Sequence, residues 1–131
     1  METPREFVER YRSAWEPVMS GRSGIATMTP FFNIPCLMIG AEGTVTLYTT
    51  PQQIQSFNQS RLDAFKAGGA TRARVCGFDA MTLGNHATLA VVNWELSRND
   101  GSVERTWRHY YNLVQGTDGW RIVLSAFQAG S

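Results

Sequence analysis

The sequence has few of the residues that build metal centres and disulfide frameworks. It contains two cysteines, Cys36 and Cys76, and two histidines among 131 residues. Neither cysteine has a CxxC neighbour or a histidine at ligand spacing. We therefore expect two free thiols and no metal site.

Long apolar runs and clusters of one charge are missing as well. No run approaches the length of a membrane-spanning helix, and the N-terminus is typical of a charged amphipathic helix rather than a signal peptide. Twelve Lys and Arg nearly balance eleven Asp and Glu, for a net charge of +1, and the arginines are scattered. We expect no nucleic-acid partner, no membrane partner and a cytoplasmic location.

The composition that remains is typical of a globular protein. Hydrophobic residues make up 43% of the chain, and 131 residues are enough to bury a core without disulfides or metals. We expect a single domain over residues 1–131.

Two segments carry the start signals of α-helices. Thr3-Pro4-Arg5-Glu6 is a capping box with proline at the first helical position, and Thr50-Pro51-Gln52-Gln53 repeats the signal. The first helix is expected to kink or end at Pro17, and the second to end near Ala67, before Gly68-Gly69. Each helix carries an apolar stripe at helical spacing, which comprises Phe7, Tyr11, Trp15 and Val18 in the first and Ile54, Phe57, Leu62 and Phe65 in the second.

Between these helices we predict a short helix over residues 25–28 and a hairpin of strands at 31–39 and 44–49. Because Pro35 cannot donate to a strand ladder, the first of these strands should be an edge strand or a bulged one.

The C-terminal half is predicted to be a four-stranded antiparallel meander. Its strands are Thr71–Leu83, His86–Arg98, Val103–Gln115 and Trp120–Phe127, joined by glycine-containing turns. A two-residue Asp100-Gly101 turn would place Trp94 opposite Trp107 and Val92 opposite His109.

This register gives the meander one apolar face and one polar face. Two polar residues, Asp79 and His109, fall on the apolar face. Asp79 is either a general base with a raised pKa or a solvated or paired carboxylate. His109 is either a proton shuttle or a core histidine bonded to a neighbour.

Helices with apolar stripes over such a sheet predict an α+β fold, in which a curved mixed or antiparallel sheet packs on the N-terminal helices as a cone with a pocket. We expect Trp15, Phe32, Trp94, Trp107 and Tyr111 to contact a small apolar ligand there. Trp94 and Trp107 would otherwise form only a packed cross-strand pair.

The element order and some local motifs resemble the nuclear-transport-factor-2-like superfamily, which includes SnoaL-like cyclases and ketosteroid isomerases. The resemblance covers essentially the whole chain and is carried by Phe31-Phe32-Asn33-Ile34-Pro35, Thr50-Pro51, Tyr111-Asn112-Leu113 and Asp118-Gly119-Trp120-Arg121-Ile122. It implies a cone-shaped, cystatin-like roll with a hydrophobic pocket. It also implies a homodimer and chemistry without a cofactor.

The resemblance also suggests roles for particular residues. Tyr11 has the position of the oxyanion-donating tyrosine of ketosteroid isomerases, whereas residues 29–33, where their catalytic carboxylate lies, contain no acid. His109 lies where SnoaL-like cyclases have an acidic catalytic residue. The resemblance implies a cofactor-free isomerase, cyclase or dehydratase, and the residues that we expect to carry such chemistry are His109 and Asp79, from the apolar face, together with Tyr11.

The alternative is a non-catalytic ligand-binding or dimerisation module of the same fold. Two titratable groups lining one enclosed cavity would favour the enzyme, whereas a pocket filled by aromatic rings would favour the module. The polar outer face of the sheet, which includes Asn93, Glu95 and Tyr110, is the expected dimer surface.

Overall fold

The computed structural model describes residues 1–128. They form two α-helices, one 3₁₀ segment and six β-strands. In chain order these are α1 (Pro4–Met19), the 3₁₀ segment (Ile25–Phe31), β1 (Phe32–Ile39), β2 (Val45–Tyr48), α2 (Pro51–Ala67), β3 (Arg72–Leu83), β4 (Ala87–Ser97), β5 (Val103–Gly116) and β6 (Gly119–Gln128). Neither α1 nor α2 is long and apolar enough to cross a lipid bilayer, nor is the 3₁₀ segment.

Both helices start as their sequence signals predict. The Thr3 and Thr50 hydroxyl groups accept hydrogen bonds from the backbone N–H groups of Glu6 and Gln53, at 3.1 and 3.2 Å. The Glu6 and Gln53 side chains bond back to the backbone of the capping residues, which completes both capping boxes. Pro17 lies inside α1 and does not end it, because the helix continues to Met19.

The six strands form one mixed sheet in the order β2-β1-β6-β5-β4-β3. All neighbours are antiparallel except β1 and β6, which run parallel. β1 is therefore an interior strand, and the irregularity that Pro35 predicted lies in its pairing with β6, between Phe32 and Leu37. The expected α+β class with helices on one face of the sheet is confirmed.

The predicted register of β4 and β5 is confirmed, although their turn differs from the prediction. Trp94 pairs with Trp107 and Val92 with His109. The loop has three residues, since the Arg98 N–H group bonds the Ser102 carbonyl, and only Gly101 in it has a positive φ, +88°. A bulge after Val103 compensates for the extra residue before the strand reaches its buried part.

The β3–β4 hairpin corrects the prediction for Asp79. Its loop is also one residue longer than predicted, since Leu83 pairs with Ala87. The bulge that compensates for this residue lies at Cys76, far from the loop. Every β3 residue between Cys76 and the loop is therefore turned to the face opposite to the predicted one. Asp79 therefore pairs with Val91 and is exposed, and Met81 is exposed too.

A further bulge changes the inner face of β6. Leu113 pairs with Ile122, but Asn112 pairs with Leu124, because Val123 is an extra residue. Leu124 is thus moved off the inner face, and Ser125, opposite Tyr111, is turned inward and buried.

The core is unusually rich in aromatic rings between α1, α2 and the sheet. Tyr11 of α1 has edge contacts with Phe32, Trp94 and Tyr111, with ring centroids 6.0 to 6.2 Å apart. Trp15 contacts Phe65 of α2 in the same way at 5.6 Å. Edge-to-face pairs of this kind stabilise a core beyond the apolar area they bury.

Candidate functional site

A cavity of about 330 Å³ lies between α2 and the strands β1, β5 and β6. At its buried end are His109 and Ser125, which are 1% and 5% exposed. At its open rim are the exposed residues Gly40, Ser60 and Ala64. The full set of residues around it is Met38, Ile39, Gly40, Phe57, Ser60, Arg61, Ala64, Phe65, Arg105, Trp107, His109, Ser125 and Phe127.

Aromatic rings form most of the cavity walls. Phe65 of α2 stacks on Trp107 of β5 with ring centroids 6.1 Å apart, and Phe127 of β6 lies 6.0 Å from the same indole. Trp107 also stacks on Trp94, behind the wall, at 6.1 Å. These contacts hold the walls in place, so the cavity is shaped before any ligand arrives.

The buried end contains a chain of hydrogen bonds through His109. The indole N–H group of Trp107 donates to His109 Nδ1 at 3.1 Å, and His109 Nε2 lies 2.5 Å from the Ser125 hydroxyl oxygen. An indole nitrogen can only donate, so Nδ1 must be the acceptor and carries no proton. In the neutral ring Nε2 therefore carries the proton and donates a hydrogen bond to the Ser125 oxygen.

The surroundings keep this imidazole neutral. Burial lowers the pKa of His109 well below its usual value, and the positive charge of Arg61 lowers the pKa further. Tyr111, whose ring stacks on His109 with centroids 4.4 Å apart, has its pKa raised by burial and is protonated. The buried end of the cavity is thus polar and uncharged.

The formally charged residues that line the cavity, among those that the structure describes, are two arginines. Its lining residues include Arg61 and Arg105 and no Asp or Glu in the part of the chain that is described. Arg105 is paired with Glu104, whose carboxylate oxygens lie 2.6 and 2.7 Å from the guanidinium Nε. Arg61 makes no ion pair and no hydrogen bond with residues 1–128, and it stands over aromatic rings.

Comparison with protein families identifies the family of this chain. The profile of the family described as "NTF2-like protein (DUF6841)" matches residues 2–129. The chain belongs to this NTF2-like family. No curated protein has a significantly similar sequence.

Solved structures share the NTF2-like fold at low sequence identity. A domain of unknown function with a cystatin-like fold from Nostoc punctiforme has a TM-score of 0.70 and 16% identity, covering 97% of this chain and 77% of that one. An NTF-2 like protein of unknown function from Shewanella oneidensis has a TM-score of 0.68 and 14% identity, covering 96% and 99%. An NTF2-like protein with a cystatin-like fold from Novosphingobium aromaticivorans has a TM-score of 0.70 and 15% identity, covering 97% and 80%. The predicted cystatin-like roll is confirmed.

The cavity between α2 and the sheet includes only part of the predicted site. His109 and Trp107 line it. Asp79 lies outside it on the opposite face of the sheet, where its carboxylate accepts a hydrogen bond from the Ala80 N–H group at 2.9 Å. The prediction that Asp79 faces inward with His109 is therefore wrong, and the reason is the distant bulge at Cys76.

Tyr11 and most of the predicted ligand-binding aromatic residues lie deeper, in the core. A void of only about 20 Å³, room for about one water molecule, is lined by residues that include Tyr11, Trp15, Trp94, Trp107 and Tyr111. Tyr111 accepts a hydrogen bond from the Trp94 indole at 3.0 Å. Phe32 is buried and lines neither space.

Arg61 and Ser125 are among the cavity residues that the sequence patterns did not single out. Arg61 lies four residues from both Phe57 and Phe65 on α2, so helical spacing alone would have placed all three on one face. Ser125 offered no such signal, because its inward position depends on the bulge at Val123.

Metal and thiol chemistry find no support in the described chain. Residues 1–128 contain no group of three or more His, Cys, Asp or Glu side chains that could hold a metal ion. Both cysteines are free. Burial raises the pKa of Cys36 to about 12, which keeps this thiol protonated, and Cys76 is exposed at the β3 bulge.

Proposed function

We propose that the protein binds a small, largely apolar molecule in the cavity between α2 and the sheet, with the Ser125 hydroxyl group donating a hydrogen bond to it. The observation that carries this proposal is the chain Trp107–His109–Ser125 at the buried end of an otherwise apolar cavity. Ligand sites typically combine apolar walls with a few polar groups that fix the orientation of the ligand.

The direction of the hydrogen bonds makes Ser125 a donor. Trp107 donates to His109, and His109 donates to the Ser125 oxygen. The Ser125 proton has no acceptor among residues 1–128, so it is available to an oxygen or nitrogen atom of a ligand. Hydrogen bonds in such a chain polarise one another, which strengthens the last donor.

The cavity volume supports a ligand of modest size. About 330 Å³ lies at the lower end of the usual range for small-molecule sites, roughly 300–1,000 Å³. The buried end of the cavity has one titratable group, His109, because Asp79 lies on the opposite face of the sheet. Binding is the function that this composition favours.

Catalysis without a cofactor is the second function we propose, as in the SnoaL-like and ketosteroid-isomerase branch that the chain resembles. The Ser125 hydroxyl group would stabilise negative charge that develops on a carbonyl oxygen while water takes up the substrate proton, and His109, which donates a hydrogen bond from Nε2 to the Ser125 oxygen, would hold that hydroxyl group in the donating orientation. This version of the mechanism depends on His109 and Ser125. Tyr11 would act only indirectly, since it lies behind the cavity wall.

Matched ligands test the binding proposal. Acetophenone and ethylbenzene have nearly the same shape, but only acetophenone has an acceptor. We expect acetophenone to bind more tightly in calorimetric titrations, and the difference to vanish in Ser125→Ala, because the donor is removed. Ser60→Ala, at the rim of the same cavity, should keep the difference. Equal affinity of the wild-type protein for both compounds, or no binding of either, would contradict the proposal.

Isotope exchange tests the catalytic proposal. Removal of a proton from the acetophenone methyl group by water or buffer base gives an enolate, whose oxygen Ser125 would stabilise. We expect NMR in D₂O to show deuterium entering that methyl group faster than in buffer, and His109→Gln to abolish the acceleration. Incorporation at the buffer rate with saturating protein would refute catalysis of this kind and leave binding intact.

We also propose that the protein is a homodimer through the outer face of the sheet. This face has ordered polar side chains, such as the Arg74–Glu95 ion pair at 3.1 Å and the Arg108–Asn93 hydrogen bond at 3.2 Å. The analogy with the superfamily supports the choice of this face.

A further inference from the structure

Arg61 is held at the cavity by aromatic rings and not by an acid. Its guanidinium carbon lies 5.6 Å from the ring centre of Phe57, 5.5 Å from that of Phe65 and 5.8 Å from that of Trp107. These distances are within the range of cation–π contacts, which restrict the side chain without neutralising its charge. The guanidinium is half-buried and lines the cavity.

Among residues 1–128, one positive charge at the cavity has no acidic partner. The charge of Arg105 is neutralised by Glu104, whose side chain is 5% exposed. Arg61 has no carboxylate within ion-pair distance in residues 1–128, and no lining residue is acidic. The charge of Arg61 also reaches the buried end, because it contributes, after burial, to the lowered pKa of His109.

We infer that the ligand is an aromatic carboxylate whose carboxylate group is bound by Arg61 and whose ring lies among Phe65, Trp107 and Phe127. This inference rests on the proposed binding function and adds the chemical class of the ligand. The guanidinium offers a planar pair of N–H donors that match the two oxygens of a carboxylate. The three rings around the cavity favour a flat aromatic body, which stacks on them.

The charge of the site favours a monoanion. A carboxylate carries one negative charge, which would be compensated by the guanidinium of Arg61, the one cavity arginine without an ion pair among residues 1–128. A phosphate monoester carries between one and two negative charges at neutral pH, so part of its charge would remain uncompensated between apolar walls.

The test compares 2-naphthoate with 2-naphthamide, which has the same ring system and no charge. Isothermal titration calorimetry should show tighter binding of naphthoate to the wild-type protein, and added NaCl should weaken that binding more than binding of the amide. Arg61→Met keeps an unbranched apolar stem over the rings and removes the charge. We expect it to weaken naphthoate binding by about tenfold or more and to leave naphthamide binding unchanged.

Lys66→Met is the matched control, since Lys66 is an exposed cation on the same helix and does not line the cavity. It should leave both affinities unchanged. If the wild-type protein binds the amide as tightly as the acid, or if Lys66→Met weakens naphthoate binding as much as Arg61→Met does, the carboxylate inference is wrong while the binding proposal stands. If neither compound binds, both are wrong. The comparison of acid and amide on the wild-type protein decides the question even if Arg61→Met does not fold.

Discussion

The Trp107 indole N–H group donates a hydrogen bond to His109 Nδ1 across 3.1 Å, between two residues on the same face of β5. Residues two apart on a strand point to the same side, so this pair is built into the strand itself. The bond determines which imidazole nitrogen carries the proton. It thereby decides that Ser125 receives a hydrogen bond from His109 and can donate its own.

The burial of His109 should make the free energy of unfolding depend on pH below neutrality. Because its pKa is lowered in the folded protein, the unfolded chain binds a proton more readily, and the free energy of unfolding should fall as the pH decreases below about 6.5. The slope can approach about 1.4 kcal/mol per pH unit for one such group. Urea denaturation between pH 7 and pH 5 measures it. His109→Gln should flatten the slope, and His86→Gln, at an exposed position, should not. A wild-type profile that is flat over this range would contradict the prediction.

Replacement of Trp107 by phenylalanine should allow the His109 proton to occupy either ring nitrogen. Nδ1 would lose its only donor within residues 1–128, so the proton would no longer be confined to Nε2. We expect the nitrogen chemical shifts of His109 to indicate the Nε2–H tautomer in the wild-type protein and a mixture in the variant. The variant should also lose about 1–3 kcal/mol of stability, because a buried acceptor is left unbonded.

Trp94→Phe provides the comparison for that variant. It removes a buried indole donor of the same kind, whose partner is Tyr111 and not His109. Its His109 shifts should match those of the wild-type protein. A change of tautomer in Trp94→Phe, or none in Trp107→Phe, would show that Trp107 does not control the proton position.

Asn58 is a polar residue in an apolar position of α2. It is completely buried, and neither atom of its amide group has a hydrogen-bond partner within residues 1–128. Its neighbours on the helix stripe are Ile54 and Leu62. Since a buried unbonded polar group destabilises a protein by about 1–3 kcal/mol, Asn58→Leu should raise the free energy of unfolding by a similar amount.

Urea denaturation of Asn58→Leu gives the measurement. Gln59→Leu, at the next and exposed position, should change stability by no more than about 0.5 kcal/mol. If Asn58→Leu is less stable than the wild-type protein, the amide group contributes to the native state and the prediction is wrong.

The proposed dimer can be examined at Tyr110, on the outer face of β5. Light scattering at micromolar concentration should give twice the mass of the chain for the wild-type protein. Tyr110→Glu should give the mass of one chain, because two like charges would be buried near each other at a symmetric interface. Asp118→Lys, in the exposed β5–β6 turn, should leave the dimer intact. A monomeric wild-type protein would contradict the proposal.

The helices and the central sheet register could be read from the sequence because their signals are local. Thr3 and Thr50 cap helices by bonding to residues three positions away. The Trp94–Trp107 pairing was predicted correctly even though the loop was one residue longer than expected. A bulge close to the loop restored the register before the buried residues began.

The same physical cause, a loop with one additional residue, placed Asp79 on the face opposite to the predicted one. The β3–β4 loop also has one additional residue, but its compensating bulge lies at Cys76, beyond Asp79. A change of one residue reverses every side chain on a strand, so the position of the bulge determines which face a residue occupies. Nothing in the local sequence around Asp79 indicates that position.

The sequence by itself therefore determined the α+β architecture, the starts of α1 and α2 and the inward direction of Trp107 and His109, since capping and alternation act over a few residues. Only the tertiary structure decided that Asp79 faces solvent, that Ser125 meets His109 and that Arg61 stands over Trp107 without an acid beside it. These relationships depend on bulges and on the packing of α2 against distant strands. Both are settled by how the whole sheet pairs and curves, and not by any one segment.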